Sequence, residues 1–182
     1  MTVEALPAFD AAEEDALTGY SDSGLPCVGN LAWGSHSCQF YSTTQELSDT
    51  LAHYFAAGLR QNEYCMWVTG DAIGIDEAKS GLRKLIPSLD AYIDRRQIEF
   101  CDYRDWYLED GHFDGNRAFK QWDEKERRAL DRGYAGMRAS GDMAWLEKKD
   151  WADLISYEEA VQQQFRFHQQ PSGYRSAGCR LS

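Results

Sequence analysis

His36 and Cys38, in the stretch S-H-S-C-Q-F-Y at 35 to 41, are the side chains with the widest chemical reach in this chain. On a strand they share one face with Phe40, while Tyr41 points to the other. An imidazole and a thiolate so placed, joined by Cys65 or Cys101 from neighbouring strands, would be soft ligands for zinc, iron or haem. The same thiols would also suit oxidation sensing. Against metal, the spacing matches no closed tetrahedral motif, and the five cysteines contain no C-x-x-C pair. The plainer expectation is reduced cysteines packed as apolar groups, with His36 fixing the strand's entry by hydrogen bonding. A regular strand would separate His36 and Tyr41 by about 16 Å, too far for one small pocket mouth.

Arg138 is the other residue that demands an explanation. It lies between Met137 and Ala139 in an apolar stretch, and a guanidinium at a covered position requires an anionic partner. Glu158, Asp142 and Asp102 are the candidates. Their pairing would either fix the last helix to the sheet or leave the guanidinium to fork onto a ligand's carboxylate or carbonyl. Tyr41, Trp67, Trp106, Tyr107 and Trp145 supply rings that singly read as core. Gathered at one rim, they would line a mainly apolar pocket with few polar anchors.

The elements that must position these groups alternate along the chain. Short strands are predicted at His36–Tyr41, Tyr64–Thr69, Ile98–Tyr103 and Tyr134–Ala139. Thr43 and Glu46 form a T-x-x-E capping box, and Leu47, Leu51, Tyr54, Phe55 and Leu59 repeat at helical spacing after it. Further helices are predicted over Asp76–Ile86, stopped by Pro87, and over Asn116–Arg132, closed by Gly133. The last helix carries Trp151, Leu154, Ile155, Val161 and Phe165 on its expected inner side. Such alternation implies right-handed crossovers and an α/β three-layer sandwich around a mostly parallel sheet. Ligands bind such sheets at the carboxyl ends of the strands. That rule gathers Tyr41, Thr69–Ala72, Asp102–Trp106 and Ala139–Trp145 at one mouth. His112 lies in the turn-rich E-D-G-H-F-D-G loop, where it reads as exposed or as a lid contact.

Composition narrows the function further. The 182 residues carry a net charge of −11, so a nucleic-acid backbone or an anionic membrane would be repelled by the average surface. No apolar run approaches the ~18 residues of a membrane span, and the first residues lack the basic region of a secretory signal. A cytoplasmic protein is expected. Residues 1–28 are small, acidic and broken by Gly and Pro, and read as a flexible tail before one domain at 29–182. No G-x-x-x-x-G-K-[ST] motif is present, nor any Gly-Lys pair, so a nucleotide phosphate would find no cradle. No Ser/His/Asp or nucleophile-elbow pattern appears either, and no cofactor is expected.

Several stretches resemble one family. H-S-C-Q-F-Y at 36–41, G-L-R-Q-N-E-Y-C-M-W-V at 58–68 and D-W-Y-L-E-D-G-H-F-D at 105–114 are similar to the MEDS sensory domain of methanogen and methylotroph signalling proteins. So are G-Y-A-G-M-R-A-S-G-D-M-A-W at 133–145 and Y-E at 157–158. The resemblance implies a RecA/KaiC-like fold that has lost its ATPase machinery. It also implies a non-catalytic sensor of small, hydrocarbon-derived organic molecules that signals to a histidine kinase or transcription regulator. On that reading the junction at 36–43 is a vacated phosphate-loop position, and a homodimer is an admissible assembly. Two alternatives stand beside it: a protein-interaction module without a ligand, and a metal or thiol redox sensor built on His36 and Cys38.

Overall fold

Tyr64–Thr69 is buried at all six positions, as expected of a strand covered on both faces. In the computed structural model, which describes residues 20–168 and 176–178, it lies at the centre of the main sheet. In chain order the strands are β1 (Tyr20–Asp22), β2 (Asn30–Ala32), β3 (Tyr64–Thr69), β4 (Ile98–Asp102), β5 (Leu108–Glu109), β6 (His112–Phe113), β7 (Met137–Gly141) and β8 (Ser176–Gly178). The helices are α1 (Thr44–Arg60), α2 (Ile75–Leu85), α3 (Leu89–Asp94), α4 (Tyr103–Tyr107), α5 (Gly115–Asp131) and α6 (Trp151–His168). The sheet runs β4-β3-β7-β8 with every pair parallel.

Alternation along β3 divides the core. Cys65 and Trp67 face a cluster containing Leu51, Phe55, Leu82 and Ile98, whereas Tyr64, Met66 and Val68 face one containing Tyr107, Trp122 and Met137. Helices α1 and α2 therefore cover one face and α4, α5 and α6 the other, in the expected three-layer arrangement. The start of α1 follows from its sequence. Thr43 Oγ1 accepts from the Glu46 amide at 3.1 Å, and Glu46 Oε2 accepts from the Ser42 amide at 2.9 Å, which closes the capping box. The D-G pair at 110–111 takes positive φ at both residues and turns β5 into β6 as a tight hairpin.

Four expectations need correction. His36–Tyr41 is not a strand: its backbone is irregular along the whole stretch, and Phe40 is 88% exposed. Alternation alone does not make a strand: the stretch is instead held by side-chain contacts, Gln39 to Thr50 of α1 and His36 to Glu158 of α6. The fourth strand runs Met137–Gly141 instead of Tyr134–Ala139. Tyr134 and Ala135 are used in the turn after Gly133, their amides donating to Ala129 O and Asn62 O at 3.1 and 3.0 Å. The third strand stops at Asp102, whose carboxylate accepts from the Arg104 amide and starts α4 at once. In α6 the buried residues include Tyr157 and Val161, whereas Trp151 and Ile155 face outward. Residues 1–19 of the expected tail lie outside the described residues, but Tyr20–Asp22 pairs antiparallel with β2 and Ser21 is buried, so packing begins before residue 29.

Candidate functional site

All strands of the main sheet are parallel, so Thr69, Asp102 and Gly141 finish along one edge. The chain leaving β7 turns tightly there. Asp142 Oδ1 accepts from the Ala144 amide at 2.9 Å, and Asp142 O accepts from Trp145 Nε1 at 2.8 Å. Gly70, at the exit of β3, lies so close that a Cβ on it would overlap the Asp142 carboxylate. This turn presents Met143, Ala144 and Leu146 as one wall of a hollow of about 600 Å³. Trp151, Leu154 and Glu158 of α6 form a second wall. The irregular stretch before α1, through His36, Cys38, Phe40 and Tyr41, forms the third.

The third wall is tied to both its neighbours. Gln39 Nε2 donates to Thr50 Oγ1 of α1 at 3.3 Å. Across the hollow, His36 Nε2 lies 3.3 Å from Glu158 Oε2 and its Nδ1 lies 3.4 Å from Gln162 Oε1. Because the stretch is not a regular strand, His36 and Tyr41 do line one hollow, contrary to the expected separation. Burial, and then the Asp142 carboxylate, push the Tyr41 hydroxyl up from its ordinary value, so it stays a protonated donor. Burial also raises the Asp142 carboxyl, against the lowering effect of the Ala144 amide, with Asp71 raising it further. The hollow thus combines apolar walls with a few polar groups: an imidazole–carboxylate pair and a tyrosine hydroxyl, with the buried Asp142 carboxyl near that hydroxyl.

Arg138 is placed elsewhere. Both it and Glu63 have fully buried side chains, and Arg138 Nε and Nη2 fork onto the Glu63 carboxylate at 2.6 and 3.0 Å. The remaining donors reach Tyr54 O, Ser23 O, Asp22 O and Ser21 Oγ. None of the three expected partners is used: the acid is Glu63, the residue before β3. The buried pair fixes the β1–β2 hairpin and α1 to the sheet, where the sequence suggested it would fix the last helix. Glu63 is absent from the sequence-based candidates because nothing in R-Q-N-E-Y marks its glutamate as buried.

The other candidates divide between core and rim. Trp67 stacks on Phe55 at 4.9 Å inside the core, and Trp106 lies 4.4 Å from Trp122. Tyr107 is buried beside Tyr157, and Trp145 stacks on Tyr103 at 4.8 Å. Asp102 caps α4 and meets Arg104, which also binds Asp71 at 2.6 Å. Of the cysteines, Cys38 is exposed on the hollow and Cys65 is buried on β3, where burial and then Glu63 raise its thiol well above the ordinary value. Burial, then Asp105 and Asp102, push the Cys101 thiol up to about 11. Among the described residues no group of three or more His, Cys, Asp or Glu is arranged to hold a metal ion. Met143 and Ala144 lie in the Ala139–Trp145 stretch expected at the mouth, whereas sequence reasoning missed Leu146, Trp151 and Leu154 as lining residues, because the apolar residues of α6 read from sequence as core.

One family description fits this arrangement. The model of MEDS, the methanogen/methylotroph DcmR sensory domain, matches residues 35–170. The chain belongs to the MEDS family. Its role is that of a sensory domain. Every residue lining the hollow lies within the matched span, as do β3, β4, β7 and the Arg138–Glu63 pair. The β1–β2 hairpin precedes the matched span and adds buried contacts to Arg138 from outside it. No curated protein matches the chain. Among the described residues no helix is long and apolar enough to cross a membrane.

Proposed function

We propose that this MEDS domain binds a small, weakly polar organic molecule in the hollow between α6, the turn after β7 and residues 36–41. Without catalysing a reaction, it passes occupancy to a histidine kinase or transcription regulator in the cytoplasm. The observation that carries the reading is the hollow itself. At about 600 Å³ it falls within the size range of small-molecule sites, and its walls are mostly aliphatic and aromatic with a few convergent polar groups. Tyr41 and the His36–Glu158 pair would orient a hydroxyl, carbonyl or halogen-bearing carbon among apolar walls. Trp67, Trp106, Tyr107 and Arg138 would act beneath the site as its support.

The test is calorimetry against short alcohols, ketones and halogenated hydrocarbons, using wild type, Tyr41→Phe and Leu154→Trp. Leu154 is only partly buried, so the added ring occupies the hollow instead of the core. The reading expects at least one compound to bind wild type, to weaken severalfold in Tyr41→Phe and to be lost in Leu154→Trp. Equal binding to all three proteins would remove the hollow as the site. No binding across the panel would remove the ligand class.

A further inference from the structure

Helix α6 has two apolar faces. Its inner face, with Leu154, Tyr157 and Val161, packs against the α5 side of the core. Its outer face presents Trp151 and Ile155, 57% and 56% exposed, and Phe40, 88% exposed, lines the hollow together with Trp151. A helix apolar on its solvent side calls for a partner.

The charges on this face indicate which partner. Trp151, Ala152, Ile155 and Glu159 recur at the spacing of one stripe of α6, and Lys148, in the 3-10 turn Lys148–Asp150 that leads into the helix, lies three residues before Trp151, which puts a cation at one end and an anion at the other. Both Lys148 and Glu159 are exposed, and neither has an ion-pair partner among the described residues; the neighbouring Lys149 instead meets Glu147 at 2.9 Å. The stripe is therefore self-complementary when reversed. If a second α6 runs antiparallel about a two-fold axis between residues 153 and 154, Lys148 meets Glu159 of the second copy. The same register seats Ile155 on Ala152 of the second copy, a large side chain against a small one, and does so twice.

We propose that two copies of this chain pair through the outer face of α6 in that antiparallel register, each pair of ends closed by Lys148 and Glu159. The contact lies alongside the mouth of each hollow, so pairing would cover Phe40 and Trp151 and restrict the exit of a bound molecule. That last consequence alone rests on the ligand reading above; the pairing does not.

Sedimentation equilibrium of the full chain tests it, comparing wild type with Lys148→Glu, Glu159→Lys, the double reversal and Ile155→Asp. Circular dichroism confirms that each variant is folded, since all three positions are exposed. Wild type is expected to be a dimer. Each single reversal, placing like charges together at two sites, should weaken the dimer at least about tenfold. The double reversal should return to within about threefold of wild type, and Ile155→Asp should be monomeric. A wild type that stays monomeric up to the highest soluble concentration overturns the proposal. So does a dimer whose strength ignores the reversals, or one that the double variant fails to restore. Because no ligand is added, these outcomes are independent of the calorimetry.

Discussion

Arg138 and Asp142 are four residues apart on β7 and its exit, and the protein treats their charges in opposite ways. The guanidinium at 138 is fully buried with a fully buried carboxylate and four further acceptors, so its charge is answered completely. Asp142 is also buried but has no cation paired with it among the described residues; it has the Ala144 amide, and its carboxyl is raised. The inner end of the strand is built for rigidity. The outer end retains unfavourable electrostatics beside a hollow, and such uncompensated groups mark places where a protein keeps chemistry available at some expense of stability.

The largest effect expected from this contrast comes from breaking the rigid end. Arg138→Ala would leave the Glu63 carboxylate buried without its partner and free the β1–β2 hairpin, a loss of about 3–5 kcal/mol by urea denaturation. Replacing the pair together, as Arg138→Met with Glu63→Leu, should cost much less, because no lone charge remains buried. If the single and double replacements cost the same, the pair is not the clasp described here.

Next in size is the close approach at the outer end. Gly70→Ala must push the Asp142 carboxylate aside, and overpacking of this kind costs about 1–3 kcal/mol. The displaced turn carries Met143, Ala144 and Leu146, so the variant should also alter amide shifts along the hollow's wall. An unchanged spectrum in that turn would mean that Gly70 does not constrain it.

How far the sequence revealed this arrangement depended on whether one neighbourhood sufficed. The capping box of α1, the buried run of β3 and the D-G turn are local, and each lies where its residues predict it. Arg138 was legible as a buried cation, but not its partner, because Glu63 lies 75 positions away and is brought near only by the parallel pairing of β3 with β7. The stretch 36–41 has the alternation of a strand but runs as irregular backbone against α1 and α6, held by side-chain contacts to Thr50 and Glu158. Helix α6 misled for a different reason: with apolar residues on both faces, its periodicity does not say which stripe is inside.

A smaller effect is expected where the hollow's walls meet. The His36–Glu158 contact is partly exposed, the side chains being 11% and 35% accessible, so losing it in His36→Gln should change stability by no more than about 1 kcal/mol. Its consequence should be local. Hydrogen exchange should quicken across residues 151–162 while β3 is unaffected, and equal quickening everywhere would show that the contact supports the whole fold instead of one wall.

The smallest effect, and the most direct probe of the contrast, is a dependence on pH. A carboxyl raised by burial holds its proton more tightly in the folded chain than in the unfolded one, so its contribution to stability declines as pH rises through the interval between its unfolded and folded values. Asp142→Asn removes that titration and keeps an oxygen for the Ala144 amide. The variant should therefore gain on wild type as pH is raised from about 3.5 towards 7, the difference levelling off once Asp142 is ionised in both states. Arg138 has no corresponding titration in this range, so Arg138→Met with Glu63→Leu should not reproduce the trend through the arginine. A stability difference for Asp142→Asn that is flat with pH, or that shrinks on going to neutral, would show that the carboxylate at the outer end is as well answered as the guanidinium at the inner one.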